Sequence, residues 1–162
     1  LERPAAVEPG HLERMPAITV HQPYATAIAR HGKRTENRGW PAPLSMVGQR
    51  LAIHASQRWV AGEDIYPEAT LPQYDPVVYP AGVVLAVARL AWCCAAGIAG
   101  DPWCECDVWA RDDLYHWGLA DVVALPEPVP CRGHQRIWYL PLDVAAEVAA
   151  QLDQISQREG RG

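Results

Sequence analysis

Residues 18–24 read Ile-Thr-Val-His-Gln-Pro-Tyr, residues 31–40 His-Gly-Lys-Arg-Thr-Glu-Asn-Arg-Gly-Trp, and residues 51–56 Leu-Ala-Ile-His-Ala-Ser. The first run carries β-branched residues at its centre, so Ala17–His21 predicts a short strand. Gln22-Pro23 then turns the chain, and Pro23 suits the first position of a helix, where its missing N–H costs nothing. Tyr24–His31 reads as that helix and Gly32 as its stop. Thr35–Arg38 reads as an extended segment or a turn. Pro41 and Pro43 predict a loop through Gly48, and Arg50–Ala55 alternates as a second strand. Ser56 stands where it would cap a short helix through Ile65.

Working outward, residues 66–80 hold Pro67, Pro72, Pro76 and Pro80 and predict a long surface loop. Gly82–Trp92 is the strongest strand signal, because Val83, Leu85 and Val87 alternate with Val84, Ala86 and Ala88 and leave it apolar on both faces. A loop with Gly97, Gly100, Pro102 and most of the cysteines follows. Tyr115–Leu125 reads as a strand broken at Gly118. Pro126, Pro128 and Pro130 mark an irregular edge, and Ile137–Leu140 is a short strand. Asp143 is placed to cap a last helix from Val144 to about Gln157, with Val144, Val148, Leu152 and Ile155 at helical spacing. There is no βαβ alternation and no Gly-rich phosphate loop. The expected fold class is α+β: a small, curled, mostly antiparallel β-barrel with flanking helices. Residues 1–15 lack periodicity and read as a flexible extension, with residues 16–158 as one domain.

The 162 residues hold 14 Lys or Arg and 19 Asp or Glu, a formal net charge of -5, which argues against bulk electrostatic binding to nucleic acid. The charge is uneven: residues 1–60 carry eight basic and four acidic side chains, whereas residues 61–162 carry six and fifteen. Much of the basic excess lies in Arg30, Lys33, Arg34 and Arg38. Thirteen of the basic residues are Arg, so Lys33, the one Lys, stands out inside this cluster; an ammonium can lose its proton where a guanidinium cannot. No apolar run reaches the roughly 18 residues of a membrane span, and no secretory signal is evident, so a cytoplasmic protein without a membrane partner is expected. The sequence leaves the oligomeric state open.

Residues 18–56 resemble the ASCH domain family, a branch of the PUA-like superfamily. The family signature is Gly-x-Lys-x-x-Glu-x-Arg after a first helix; Lys33, Glu36 and Arg38 match it. His31 stands where the family has its glycine, and Gly32 follows one place later. Gln22-Pro23-Tyr24 looks like the family's lead into that helix, Arg50–Ser56 like the next barrel strand, and Pro128–Pro141, with Gly133 and Trp138, like the closing strand. The resemblance implies a small barrel with a cleft beside the first helix that binds RNA or another nucleic acid; a few members are hydrolases. Under that implication Tyr24, Arg30, Lys33, Arg34, Glu36, Arg38, Trp40 and His54 are the candidate nucleic-acid-binding residues.

The residue chemistry agrees in part. Glu36 and Arg38 are two apart and share a face of an extended segment. A carboxylate between two cations is ionised and orients both toward a phosphate, or forms a structural ion pair. Tyr24 and Trp40 offer stacking faces. His54 can donate to phosphate or act as acid or base. If the domain is a metal-independent ribonuclease, Lys33, Glu36 and His54 are the catalytic candidates. An amidohydrolase on acetylated cytidine fits less well: the resemblance implies a Thr at the motif's Glu position in such enzymes, where this chain has Glu36, and a carboxylate does not replace a hydroxyl nucleophile. A protein-interaction or small-ligand domain is the third class, kept open by the acidic net charge. Trp92, Trp103, Trp109, Trp117 and Trp138 read as core or loop anchors. Cys93, Cys94, Cys104, Cys106 and Cys131, with His116, could supply four ligands, but an adjacent pair and a Cys-x-Cys fit no common zinc spacing. No metal and no cofactor are therefore expected. A disulfide from Cys94 to Cys104 or Cys106 is a lesser alternative to unpaired thiols.

Overall fold

The computed structural model of the chain describes residues 14–60, 77–95 and 106–162. Among the described residues six strands and two α-helices follow one another: β1 (Pro16–Gln22), α1 (Tyr24–Arg30), β2 (Thr35–Arg38), β3 (Arg50–Trp59), β4 (Val83–Cys94), β5 (Tyr115–Pro130), β6 (Ile137–Tyr139) and α2 (Leu142–Glu159), with one 3-10 turn at Leu44–Met46. The strands form one sheet in the order β2-β5-β4-β3-β1-β6. Four of the pairings are antiparallel, but β1 and β3 run parallel, Ala17 against Ala52 through Val20 against Ala55. A parallel neighbour needs a crossover, and the segment carrying α1 and β2 supplies it.

The expected closed, antiparallel barrel does not form: the sheet is mixed, and its edge strands β2 and β6 have four and three residues. Such short edges cannot sustain a closing ladder. Where a ladder would lie, a side chain reaches across instead: Arg38 of β2 donates from Nη2 to the carbonyl of Thr19 on β1 at 2.9 Å. The sheet thus curls toward closure and leaves a seam.

Period-two alternation sorts the side chains into two cores. Ile18, Val20, Leu51, Ile53, Leu85, Leu90, Trp117 and Leu119 pack with Ile28 of α1. Ala17, Ala52, Val84, Val87, Leu125 and Trp138 pack with Val144, Val148 and Leu152 of α2. Local chemistry sets the helix ends. Buried Gln22 accepts the Thr26 N–H on Oε1 at 3.0 Å and donates to Thr26 Oγ1 at 2.9 Å, which serves the start of α1 in place of a Ser or Asp cap. Gly32, at φ +73, turns the chain out of α1 so that the Lys33 N–H returns to the Ala27 carbonyl.

Several boundaries differ from expectation. Ser56 caps nothing within the described residues: β3 runs on to Trp59, and the Ser56 hydroxyl accepts the Arg58 N–H. The rest of that expected helix, and residues 66–76 of the expected loop, lie outside the described residues. Strand β5 is not broken at Gly118, whose open Cα face is covered by the Trp92 ring; a Cβ there would meet it at 1.9 Å. The strand also continues through its three prolines to Pro130, because Ala124 pairs with Ala86 and Val129 with Val84 while the residues between bulge outward. In that bulge the Gln151 side chain of α2 donates to the Glu127 carbonyl at 3.0 Å and accepts the Glu127 N–H at 3.1 Å, standing in for a missing strand. Asp143 lies in the first turn of α2 rather than at its cap, which is Pro141; there its charge still favours the helix dipole. Among the described residues no helix is long and apolar enough to cross a membrane.

Candidate functional site

The parallel register of β1 and β3 sets Thr19 beside His54, and alternation adds His21, Ser56 and Arg58 to the same face. These residues form one side of a cavity of about 980 Å³ at the seam. Arg38 and Trp40 reach it from the end of β2, and residues 131–136, just before β6, complete the wall. The described lining holds Arg38, Arg58, Arg132 and Arg136 together with His21, His54 and His134, and no carboxylate. Trp40 packs edge-on against Trp117 at 4.7 Å, and the Arg136 guanidinium lies 5.3 Å from the Trp40 ring centre. The volume is at the upper end of those that hold small organic ligands.

His54 is fixed on all sides. Its Nε2 donates to the Cys131 carbonyl at 2.7 Å, and its ring meets Trp138 edge-on at 5.5 Å. Nδ1 is buried with no hydrogen-bond partner among the described residues. Gly133 lies against it so closely that a Cβ at 133 would fall 2.5 Å from Cε1, 2.6 Å from Nδ1 and 2.9 Å from Thr19 Oγ1. Glycine is thus the residue that lets this wall approach. Trp138 Nε1 donates to Thr19 Oγ1 at 3.0 Å, which ties β6 to the same point. Burial lowers the His54 pKa, against the raising effect of its bond to Cys131 and with help from nearby His134. Burial lowers that of His21 as well, and the Arg58 and Arg38 charges add to it. Both imidazoles are thereby biased toward the neutral form, and the permanent cationic charge of the cavity comes from its arginines.

A smaller cavity of about 350 Å³ adjoins it, with His21 and Arg58 lining both. Here lie Tyr24, Lys33, Glu36 and Arg111. Lys33 is 1% exposed. Its Nζ donates to the Thr35 carbonyl and, at 3.0 Å, to Glu36 Oε2, and it sits 5.6 Å from the Tyr24 ring centre. Glu36 Oε1 meets Arg38 Nε at 3.4 Å. Burial alone would raise the Glu36 pKa, but the Lys33 and Arg38 charges and the Lys33 hydrogen bond outweigh it and hold the carboxyl below its usual range. Lys33, Glu36 and Arg38 are thus one buried chain of charges, and Arg38 is the end of it that reaches the larger cavity.

Of the sequence-predicted residues, Arg38, Trp40 and His54 line the larger cavity, and Tyr24, Lys33 and Glu36 the smaller. The proposed catalytic set of Lys33, Glu36 and His54 is divided between the two. Arg30 and Arg34 line neither. Arg30 Nη2 points to the Leu125 carbonyl at 3.5 Å, and Arg34 Nη1 is spent on the carbonyls of Ile28 and Lys33. Sequence reasoning missed His21, Arg58, Arg132, His134 and Arg136. The last three form a second basic run, Arg132-Gly-His-Gln-Arg136, that stood in plain view. Of the tryptophans expected as anchors, Trp109, Trp117 and Trp138 are buried, whereas Trp92 is 42% exposed and lies over Gly118; Trp103 is outside the described residues. The cysteines also differ from their spacing along the chain, since Cys94, Cys106 and His116 bring their ligand atoms within 4.8 Å of one another. Cys104 is outside the described residues.

This mixed six-stranded sheet with two helices is similar in fold to solved ASCH structures. The chain is similar over 85% of its length to a Tyr-to-Phe mutant of ZmASCH from Zymomonas mobilis, with a TM-score of 0.56, 14% identity and 97% of that chain covered. It is likewise similar to ASCH from Zymomonas mobilis, with a TM-score of 0.51, 13% identity and 94% of that chain covered, and to a Ser-to-Ala mutant of ZmASCH, with a TM-score of 0.52 and 14% identity. No family model and no curated protein matches the sequence.

Proposed function

We propose that this chain is a nucleic-acid-binding domain that takes a single strand, RNA in preference to DNA, into the larger cavity. The observation that carries the reading is the lining of that cavity: four arginines and no described carboxylate, on a chain whose net charge is -5. Such a local reversal of sign favours a polyanion held at one place rather than spread over the surface. Guanidinium groups suit phosphate, and Trp40 and the exposed imidazole of His134 suit stacking on an unpaired base. The preference for RNA rests on what the sequence resemblance to the ASCH family, through Lys33, Glu36 and Arg38, implies. Arg58, Arg132 and Arg136 are the exposed donors that would meet phosphate, while Lys33 acts behind them by holding Glu36 and, through it, Arg38.

Binding of labelled single-stranded RNA and DNA oligonucleotides across a salt series tests the proposal. RNA binding with a log-log salt slope of about -2 to -3 is expected, from three or four phosphate contacts at about -0.7 each on a single strand. The double substitution Arg132→Glu and Arg136→Glu should weaken binding by at least about tenfold on every sequence tried, as lost phosphate contacts do. Absence of binding to either strand at low salt, or indifference to the charge reversal, overturns the reading. The same gels report cleavage; a cut strand would assign hydrolysis to this fold instead of binding alone.

A further inference from the structure

Cys94 closes β4 and His116 is the second residue of β5, and the sheet register pairs them directly. Cys106, from the connection between these strands, brings its Sγ to 3.3 Å from Cys94 Sγ, and Cys94 Sγ lies 3.3 Å from His116 Nδ1. The other ring nitrogen of His116, Nε2, donates to the Arg111 carbonyl. That bond holds the ring proton on Nε2 and leaves the Nδ1 lone pair toward Cys94 Sγ, the arrangement by which proteins orient a metal-ligating histidine. His116 is 3% exposed, so its ring is fixed there by the fold.

We propose that Cys94, Cys106 and His116 form a binding site for a soft divalent cation, zinc above all. Two sulfurs and an imidazole disfavour magnesium and calcium, which take oxygen ligands. Around a tetrahedral zinc, bonds of about 2.3 Å to sulfur and 2.0 Å to nitrogen set two sulfurs about 3.8 Å apart and sulfur about 3.5 Å from nitrogen. The two separations from Cys94 Sγ, 3.3 Å each, stand within about half an ångström of that spacing, and all three atoms lie within 4.8 Å of one another. Both thiols give up their protons as they coordinate, and the fourth tetrahedral position falls to a water or a further donor.

The site would work as a staple rather than as a reaction centre. Asp107, next to Cys106, accepts the backbone N–H of Arg34 at 2.8 Å and of Trp109 at 3.0 Å. Asn37 on β2 donates to the Trp109 carbonyl and accepts the Arg111 N–H. A metal at Cys106 would therefore fasten the segment that brings Arg111 into the lining of the smaller cavity, which Lys33 and Glu36 also line. This inference stands apart from the nucleic-acid reading.

Untagged, reduced full chain, stripped with a chelator and titrated with Co²⁺, tests it. One equivalent should give tetrahedral visible bands with a sulfur-to-cobalt charge-transfer band, displaced by Zn²⁺. Cys106→Ser should cut the charge-transfer intensity and weaken cobalt binding by at least about 100-fold. Cys106 is half-buried in a connecting segment, so circular dichroism should show that variant folded. In the wild-type chain, Zn²⁺ should suppress maleimide labelling of Cys94 and Cys106 but not of Cys131. An octahedral cobalt spectrum, a tetrahedral spectrum unchanged by Cys106→Ser, or labelling of Cys94 and Cys106 unaffected by zinc overturns the proposal.

Discussion

Lys33 shows how far a residue's setting decides its role. Read along the chain it is a cation in a basic cluster; in the fold it is buried, with its ammonium committed to Thr35 and Glu36. Such a group does not meet a phosphate directly. Its removal leaves Glu36 buried beside Arg38 alone, and an uncompensated buried charge typically costs about 3–5 kcal/mol. We expect Lys33→Met, and separately Glu36→Gln, to lower the free energy of unfolding by about that range. The double variant should cost clearly less than the sum, because it removes the pair together. Urea unfolding measures all three, and single variants that cost under about 1 kcal/mol would show the pair to be incidental.

At the scale of elements, the strands and helices were legible wherever one face alternates or repeats. β1, α1, the core of β3, β4 and α2 follow from apolar periodicity and from Gly32. What was not legible is what depends on distant partners. That β1 and β3 are parallel, and hence that Thr19 lies beside His54, is set by a crossover that no local pattern encodes. The continuation of β5 through Pro126 and Pro128 depends on Gln151, a residue 24 positions away from Glu127. The same holds for the site. The Glu36–Arg38 proximity was readable from a spacing of two, whereas His21, Arg58 and the 132–136 run join it only through the curl of the sheet. Gln151 gives this a measurable form. It is 5% exposed, and its amide satisfies both backbone groups of Glu127. Gln151→Leu should destabilise the chain by about 1–3 kcal/mol, the cost of leaving buried polar groups unmet. It should also speed amide hydrogen exchange at Glu127 ahead of the rest of β5; uniform exchange across β5 would count against the clamp.

For the whole molecule, acid should act on the fold and on the site in opposite senses. His21, His54 and Glu36 all have pKa values below their ordinary ones in the folded chain. Each contributes stability that is present above its unfolded pKa and is lost as pH falls through the folded one, because the unfolded chain takes up the proton first. Stability should therefore decline through the imidazole range and again through the carboxylate range. A bound polyanion reverses the sign at His21, since phosphate offsets the Arg58 and Arg38 charges that help hold its ring neutral. Affinity for RNA should rise several-fold from pH 7.5 to 5.5, in fluorescence anisotropy at fixed salt, while the melting temperature falls. His21→Gln should remove most of the gain in affinity. Affinity that is flat or falling with acid in the wild-type chain would remove His21 from the binding surface.

The place of β1 also bears on how the chain is made. It is the first strand of the sheet to leave the ribosome, yet its final neighbours are β3 and β6, the latter more than a hundred residues downstream. At about 5–20 residues per second, its outer edge waits roughly 6–25 s for Ile137–Tyr139 to appear. During that interval Ala17, Ile18 and Val20 lie on an unpaired edge, the kind of surface on which chaperones and neighbouring nascent chains compete. Vectorial synthesis thus leaves the strand that anchors the cavity open until the last sheet partner arrives, and the wall segment 131–136 emerges just before the strand that seals it.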